Sequence, residues 1–347
     1  MSFISFDTAD SIITSEAITG PLWSNNVYTL TSGSMFTSSV QEASTQGTFY
    51  LNVNNLAIAT SGSELQYSIA YGHVSGSGSA PFNTAIPGAT PTKVIYEQYY
   101  NTLYAGSGIT GSLVNFGGSN GQSKDMYIVN ISRSRYKESL KPGSLNLRLS
   151  SGSTVINLTD DSNNTSTVSY IGANRVYNLV SGSNGVSFNS SSLQTNSGSY
   201  GIFLPDIATV ILNPRALALT PAQGGIGLVP NETPSTSYTL TYNANNNRLY
   251  NSIRIGNGFS LSSQETVSAR YYDVHVKYGE LNYTTNPSVI DSNGNIIYNT
   301  MIYNPQTFVT TVGLYNEQNE LLAVAKLSKP LTKDFTKTLT LRVKLQA

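Results

Sequence analysis

Several chemistries are excluded by what the 347-residue sequence lacks. It contains no cysteine, which excludes disulfides, cysteine-ligated zinc, iron–sulfur clusters and cysteine nucleophiles. The two histidines, His73 and His275, are too few for a multi-histidine metal site within one chain. Charged residues make up only 11%, and 19 bases balance 19 acids, so no basic nucleic-acid-binding surface is expected. We therefore expect no catalytic, metal-binding or cofactor-binding residues, no cofactor and no direct contact with nucleic acid.

The sequence also lacks a long hydrophobic run. Residues 1–20 contain no early Lys or Arg and no apolar core, so they do not match a secretory signal. The most apolar stretch, 202–212, is interrupted by Pro205 and Asp206 and is shorter than the roughly 20 residues that span a membrane as a helix. The expectation is a chain that is neither exported nor inserted into a membrane.

Alternation of apolar and polar residues predicts strands along the whole chain. The clearest examples are residues 65–71, 145–150, 271–278 and 338–345. Clusters of Gly, Ser and Asn, which favour turns, separate these runs. This pattern predicts a mainly β protein made of antiparallel β-sandwich or barrel-type domains with one or two short helices. The strand content should exceed the helix content at least about twofold.

One helix is predicted over residues 92–104, because Ile95, Tyr99 and Leu103 recur at helical spacing after a Thr-Pro-Thr start. A second short helical turn is expected within 134–140. Shifts in charge usage and two polar stretches predict three parts. These parts are an N-terminal β-rich domain with one helix at 1–124, a central β region at 125–220 and a C-terminal β domain at 221–347.

Two short motifs resemble enzyme signatures but lack the required setting. Residues 117–121 match GxSxG around Ser119, yet a turn and a strand follow where a nucleophile elbow needs a helix. Residues 106–111 match GxGxxG, but a helix precedes them and a strand follows, the reverse of a dinucleotide site. Only His73 or His275 could serve as the base for Ser119, so a Ser–His hydrolase is the minor alternative to a protein that is not an enzyme.

Acidic residues occur mainly where turns are expected. Residues 291–295 carry half of a calcium-loop pattern, but they lack the central Gly and the closing Glu of such a loop. A hairpin turn at Asn293-Gly294 is the simpler interpretation. The pair Asp160-Asp161 likewise predicts a turn at the end of a strand.

A basic segment follows residues 127–131, a stretch that is apolar on both faces and should be buried. This basic segment consists of Arg133, Arg135, Tyr136, Lys137 and Lys141. Unpaired charges are costly in a core, whereas Arg grips carboxylates well at an interface rim, so we predict an assembly interface here. The alternative, left open by the sequence, is that Arg133 or Arg135 pairs within the chain, for example with Glu97 or Asp125.

Tyrosine and a second basic segment also suggest contacts with other proteins. The chain has 23 Tyr against 11 Phe, and Tyr is enriched at protein interfaces. The second basic segment consists of Lys326, Lys329, Lys333 and Lys337. It is either a solvated rim or a contact with an acidic patch on a neighbouring subunit. A β-rich chain with few charges and no catalytic cluster is typical of a building block or a binding module.

Four longer pieces of the sequence, taken in order, resemble one family. They are KVIYEQYYN at 93–101, DMYIVNISRSRYKESLKPG at 125–143, YGIFLPD with ILNPRAL at 200–217, and FVTTVGLYN with ELLAVAKLSKP at 308–330. These pieces are similar to segments of virion structural proteins from large contractile-tailed bacteriophages, especially those of cyanobacteria. The first 60 residues carry no such similarity.

The resemblance implies a non-enzymatic virion part, most often in the contractile tail or its baseplate. A neck or capsid-associated protein is the alternative within that class, and a receptor- or glycan-binding tail-fibre module is the alternative outside it. The implied partners are other virion proteins or further copies of the same chain. The implied location is the virion, assembled in the host cytoplasm.

Overall fold

The computed structural model describes residues 6–38, 49–81, 85–86, 89–104, 113–118, 121–164, 167–187, 200–232, 244–284 and 286–346. The fold is mainly β, with 44% strand and 18% helix in antiparallel sheets, one of them a large half-barrel. This confirms the predicted fold class and the twofold excess of strand. The chain divides into a larger unit, Ile18–Glu265, and a smaller unit, Met1–Ala17 with Thr266–Ala347.

Twenty strands are defined within the described residues. The first ten are β1 (Ser11–Pro21), β2 (Thr29–Leu30), β3 (Leu51–Asn54), β4 (Leu65–His73), β5 (Val114–Asn115), β6 (Gln122–Ser123), β7 (Asp125–Ile131), β8 (Ser139–Leu140), β9 (Asn146–Ser151) and β10 (Thr154–Asp160). The others are β11 (Ser169–Ile171), β12 (Asn174–Ser183), β13 (Val186–Ser187), β14 (Gly201–Leu204), β15 (Thr209–Leu212), β16 (Phe259–Ser260), β17 (Ser262–Val276), β18 (Thr307–Tyr315), β19 (Leu321–Lys333) and β20 (Leu339–Gln346). The same residues contain four α-helices: α1 (Pro91–Tyr104), α2 (Pro214–Ala218), α3 (Ala244–Gly256) and α4 (Asn299–Tyr303).

A 12-stranded sheet forms the body of the larger unit. Its order is β2-β16-β9-β10-β12-β14-β15-β7-β4-β3, and β11 and β13 pair with β12. The central strands β4 and β7 are buried on both faces, which explains why the stretch 127–131 carries apolar residues on both faces, with Asn130 as the exception. Tyr67 and Ile69 belong to the core on one face, whereas Ala70 and Ile128 belong to the core on the other.

Helix α1 confirms the predicted helix and begins one residue earlier than expected. Its buried face carries Ile95, Tyr96, Tyr99, Tyr100 and Leu103, so most of the tyrosines that crowd this helix are core residues. The helix lies close to the sheet at Gly72, where an added Cβ would lie 2.8 Å from the backbone nitrogen of Tyr96. The missing side chain at this position therefore lets the helix lie directly on β4.

Helix α3 was not predicted from the sequence. Its first turn is rich in Asn, a weak helix former, which hides the helical spacing of the buried Leu249, Tyr250 and Ile253. These three side chains pack into the core on the sheet face opposite α1. The helix ends at Gly256, where an added Cβ would lie 2.0 Å from the carbonyl oxygen of Arg148 in β9.

The limits of the two units do not coincide with the predicted boundaries at residues 124 and 220. Strand β7, after the first boundary, pairs with β4 before it over seven residues. Strand β16, after the second boundary, pairs with β9. Pairing across both positions places all of these strands in one sheet, a relation that local charge usage does not report.

The smaller unit contains a long strand pair and a separate hairpin. Strand β17 pairs antiparallel with β20. In this pairing Ala269 lies opposite Gln346 at one end and Val276 lies opposite Leu339 at the other. Strands β18 and β19 pair with each other through the polar turn 316–320. The predicted turn at Asn293-Gly294 is confirmed, since Ile290 and Ile296 form a bridge and Asp291 accepts hydrogen bonds from the backbone N–H groups of Asn293 and Asn295.

Candidate assembly surfaces

The first basic segment begins where β7 ends and makes a turn of 3-10 helix at Arg133–Arg135 before β8. The short helical turn expected within 134–140 thus lies slightly earlier in the chain, and a strand occupies the end of that range. The guanidinium of Arg133 donates hydrogen bonds to the carbonyls of Tyr136 and Lys137 and lies 4.7 Å from the centre of the Tyr136 ring. Tyr136 itself is half-buried against the larger core. Arg133 and Tyr136 therefore stabilise the turn from within.

Arg135 forms an ion pair inside the larger unit. Its Nη1 lies 2.8 Å from Oε2 of Glu64, and it also donates a hydrogen bond to the Ser24 hydroxyl. The Arg135 side chain is only 15% exposed. Gln66 donates a further hydrogen bond to the same hydroxyl, at 2.7 Å. The Ser24 hydroxyl and, next, Arg135 hold the pKa of the Glu64 carboxyl below its usual range.

The lysines of this segment are more exposed. Lys137, with its side chain 80% exposed, pairs with Glu265 at 2.8 Å, and Lys141 is exposed. The structure therefore supplies internal partners for Arg135 and Lys137, but not the ones that the sequence suggested. Glu97 pairs with Lys93 at 3.9 Å, and Asp125 is buried elsewhere. The assembly interface at Arg133, Arg135, Tyr136, Lys137 and Lys141 stays a prediction.

Lys141 also lines an open polar depression of 520 Å³ in the larger unit. The lining residues include Tyr28, Asn146, Asn163 and Asn184. The Asn146 amide donates to Oδ1 of Asn184 at 2.8 Å, and the Asn163 amide donates to the Asn184 carbonyl at 2.7 Å. The floor is thus an organised amide network beside a ring that is about half exposed. Such a surface can offer hydrogen bonds and a stacking face to a polar ligand.

A buried polar cluster surrounds Asp125, at the start of β7. Its carboxylate accepts hydrogen bonds from the Tyr71 hydroxyl at 2.8 Å and the Ser123 hydroxyl at 2.7 Å. Burial raises the pKa of Asp125 and lowers that of His73 nearby. Nδ1 of His73 lies 3.0 Å from the Ser75 hydroxyl, and its buried Nε2 has no hydrogen-bond partner among the described residues.

The residues of the hydrolase alternative are not brought together by the described part of the structure. Ser119 lies outside the described residues. His73 is buried at the end of β4, in the larger unit. His275 is exposed in the smaller unit, with Nδ1 3.0 Å from the Thr340 hydroxyl and Nε2 3.6 Å from the Asp10 carboxylate.

The smaller unit exposes large apolar and aromatic side chains. On the β18–β19 hairpin, Leu322 is 67% exposed and Val324 is 60% exposed. Before the hairpin, Tyr303 is 90% exposed, and further exposed side chains are Tyr278, Tyr283, Ile297, Tyr298 and Ile302. Exposed apolar residues grouped in this way mark interaction surfaces more often than isolated ones do. The sequence reading did not single out this surface, although the Leu-Leu pair directly after a polar turn was a usable signal.

The second basic segment separates into residues of different roles. Lys333 is fully buried, and its ammonium group donates to the carbonyls of Tyr278 and Asp334 and to the side-chain oxygen of Asn282, at 2.7–3.0 Å. Lys337 pairs with Asp334 at 2.9 Å. Lys326 and Lys329 remain exposed on β19. Lys326, Lys329 and the half-exposed Lys337 are accessible to another subunit, whereas Lys333 is not.

Across the residues that the structure describes, no group of three or more His, Asp or Glu side chains is arranged to hold a metal ion. None of the helices in those residues has the length and apolar character of a membrane span. Comparison with models of known protein families, with curated proteins and with solved structures found no match to this chain.

Proposed function

We propose that this protein is a structural subunit of a bacteriophage virion. It acts by protein–protein assembly in the contractile tail, as a component of the baseplate. A neck or capsid-associated position is the alternative within the same class. In this proposal its partners are other virion proteins, and it carries out no catalysis and needs no cofactor. The sequence resemblance of the four pieces at 93–330 suggests the virion, and the exposed hairpin supports assembly.

The observation that carries the assembly role is the β18–β19 hairpin. Within the described residues it is a two-stranded sheet that pairs with no further strand. A two-stranded ribbon is only marginally stable in water by itself, and exposed edges and apolar faces favour association. Leu322 and Val324 project from this ribbon with most of their surface in solvent. A neighbouring subunit that covers these side chains would stabilise the hairpin and bury its apolar surface.

The proposal is tested on phage particles. Peptides of this chain should remain with intact contractile-tailed particles through gradient purification, and a density map of the particle should contain the fold described above. If the chain is found entirely in the particle-free fraction, the virion proposal is wrong.

A pair of matched variants tests the assembly surface itself. Leu322→Thr with Val324→Thr should keep the strand but reduce incorporation into particles, because it removes exposed apolar surface. The control is Val155→Thr with Val186→Thr, which changes two exposed strand valines of the larger unit. Equal incorporation of both double variants would refute the role of the hairpin.

A glycan-binding module is a second candidate, favoured by the polar depression beside Tyr28. Sugars bind to aromatic faces flanked by amide and hydroxyl groups, and Asn146, Asn163 and Asn184 supply amides there. Screening the full chain on a glycan array tests this candidate. Binding that is lost in Tyr28→Ala but kept in Tyr170→Ala, an exposed tyrosine outside the depression, would support it. An array without signal would eliminate it.

A further inference from the structure

The outer edge of β19 carries no Lys and no Pro from Leu321 to Ala325. Natural edge strands usually carry Lys, Pro or an irregularity that prevents pairing with another chain. In β19 the residues of this kind all follow Ala325: Lys326, Lys329, Pro330 and Lys333. The larger of the two register shifts with β18 lies among them, and the smaller one is a single extra residue, Leu322. The first half, from Leu321 to Ala325, consists only of Leu, Ala and Val. This part of the edge can accept another strand.

The sequence of this half is complementary to itself in the antiparallel direction. Residues 320–326 read Glu-Leu-Leu-Ala-Val-Ala-Lys, with Ala323 at the centre. If two copies pair antiparallel about a two-fold axis at Ala323, Glu320 of each copy lies opposite Lys326 of the other. Leu322 then lies opposite Val324 of the second copy, and each contact occurs twice, as in an isologous dimer. Directly opposite residues share a face of the sheet and therefore contact each other.

The structure leaves these residues available for such pairing. Glu320, Leu322, Val324 and Lys326 are all exposed, whereas the alternate residues Ala323 and Ala325 are half-buried. In the described part of the chain neither Glu320 nor Lys326 forms an ion pair, and the Glu320 carboxylate accepts a hydrogen bond from the Asn316 side-chain amide at 2.7 Å. Leu322 is the extra residue in the register shift opposite Leu314 and Tyr315 and has no partner in β18.

The charges also select the register. A two-fold axis one residue earlier, at Leu322, would place Glu320 opposite Val324. An axis one residue later, at Val324, would place Glu320 opposite Ser328 and Lys326 opposite Leu322. Only the axis at Ala323 brings both charge pairs and both apolar pairs together, so one register is favoured over its neighbours.

We propose that the free edge of β19 pairs antiparallel with the same edge of a second copy of this chain, about a two-fold axis at Ala323, with Glu320–Lys326 pairs at both ends. The hairpins of the two copies then form one four-stranded sheet, a size that is stable where a two-stranded ribbon is not. This inference rests on the proposed assembly role and names a second copy of the chain as the partner of the hairpin.

A charge exchange tests the register. In the full-length chain, Glu320→Lys puts two lysines opposite each other at both ends of the dimer contact, and Lys326→Glu puts two glutamates there. Either single variant should dimerise at least about tenfold more weakly than the wild type, because two attractive pairs become repulsive. The double variant Glu320→Lys/Lys326→Glu restores opposite charges and should dimerise as the wild type does. An equimolar mixture of the two single variants should form heterodimers.

Sedimentation velocity at low salt measures these outcomes, over chain concentrations up to the order of 100 µM that suit a small interface. The control is Lys277→Glu, which makes the same charge change at an exposed lysine outside the hairpin and should leave dimerisation unchanged. Circular dichroism melts confirm that each variant is folded.

The proposal would be overturned by a wild type that stays monomeric over this concentration range. It would also be overturned if both single variants dimerised as strongly as the wild type, or if the double variant did not regain wild-type dimerisation. The result is separable from the virion proposal. A chain that is found in particles but is monomeric in solution refutes the β19 pairing alone. A chain that dimerises with the expected exchange pattern but is missing from particles refutes the virion role alone.

Discussion

Substituting Ala for Gly72 tests how closely helix α1 lies on the large sheet. The added Cβ would lie 2.8 Å from the backbone nitrogen and 2.9 Å from the Cα of Tyr96. Both atoms belong to the helix backbone, so no side-chain rotation can relieve the contact. The helix would have to move away by about 0.6 Å to reach an ordinary van der Waals distance, which loosens the core formed by Ile95 and Tyr99.

Overpacking of this kind costs about 1–3 kcal/mol, less the few tenths gained by removing a flexible Gly from the unfolded chain. For a unit of this size, that corresponds to a melting temperature lower by about 3–10 °C. The matched control is Gly33→Ala in the same unit, where an added Cβ meets no atom within 4 Å and the backbone is not left-handed. Thermal unfolding followed by circular dichroism compares the two variants. If Gly72→Ala melts at the same temperature as Gly33→Ala, the close seating of α1 on β4 is wrong.

Three further predictions concern charged and buried groups. Burial raises the pKa of Asp125 in the folded state, so the wild type loses stability as the pH rises above about 4. Asp125→Asn removes this titration, and its melting temperature should exceed that of the wild type by an amount that grows with pH. A difference in melting temperature that stays constant across pH would contradict this. Arg135→Ala should lower the melting temperature, because it removes a mostly buried side chain that contacts Ser24 and the half-exposed Glu64. Lys137→Ala, at an 80% exposed side chain, should change the melting temperature by less than about 2 °C. Equal effects of the two variants would contradict the internal pairing. Lys333→Met should destabilise the smaller unit by at least about 2 kcal/mol, because three oxygen acceptors lose their buried donor. Urea denaturation measures this change, and an unchanged urea midpoint would show that these hydrogen bonds are not made.

The local pattern of the sequence was sufficient for the class of fold and for several elements. Period-two alternation defined β4, β9 and β20, and helical spacing defined α1, because these patterns arise from the geometry of a single strand or helix. The polar turn at Asn293-Gly294 was also readable, since turn preference depends on a few adjacent residues. Helix α3 was missed because its stability comes from burying Leu249, Tyr250 and Ile253 rather than from the propensity of its Asn-rich start.

The partners of charged residues depend on contacts between distant segments, which no local pattern contains. The sequence showed that Arg135 needed a partner, but only the tertiary structure brought Glu64 and Ser24 to it, across 71 and 111 positions of chain. By sequence Lys333 belonged to a solvated rim or a subunit contact, yet folding buries its ammonium group against the Tyr278 carbonyl and the Asn282 side-chain oxygen. Residues 320–326 show the opposite case. Their self-complementary order is present in the sequence, but their exposure beside a strand that has only β18 as its partner in the described part of the chain is a property of the fold. Burial and pairing are decided by the whole fold, because each depends on which surfaces the other segments cover.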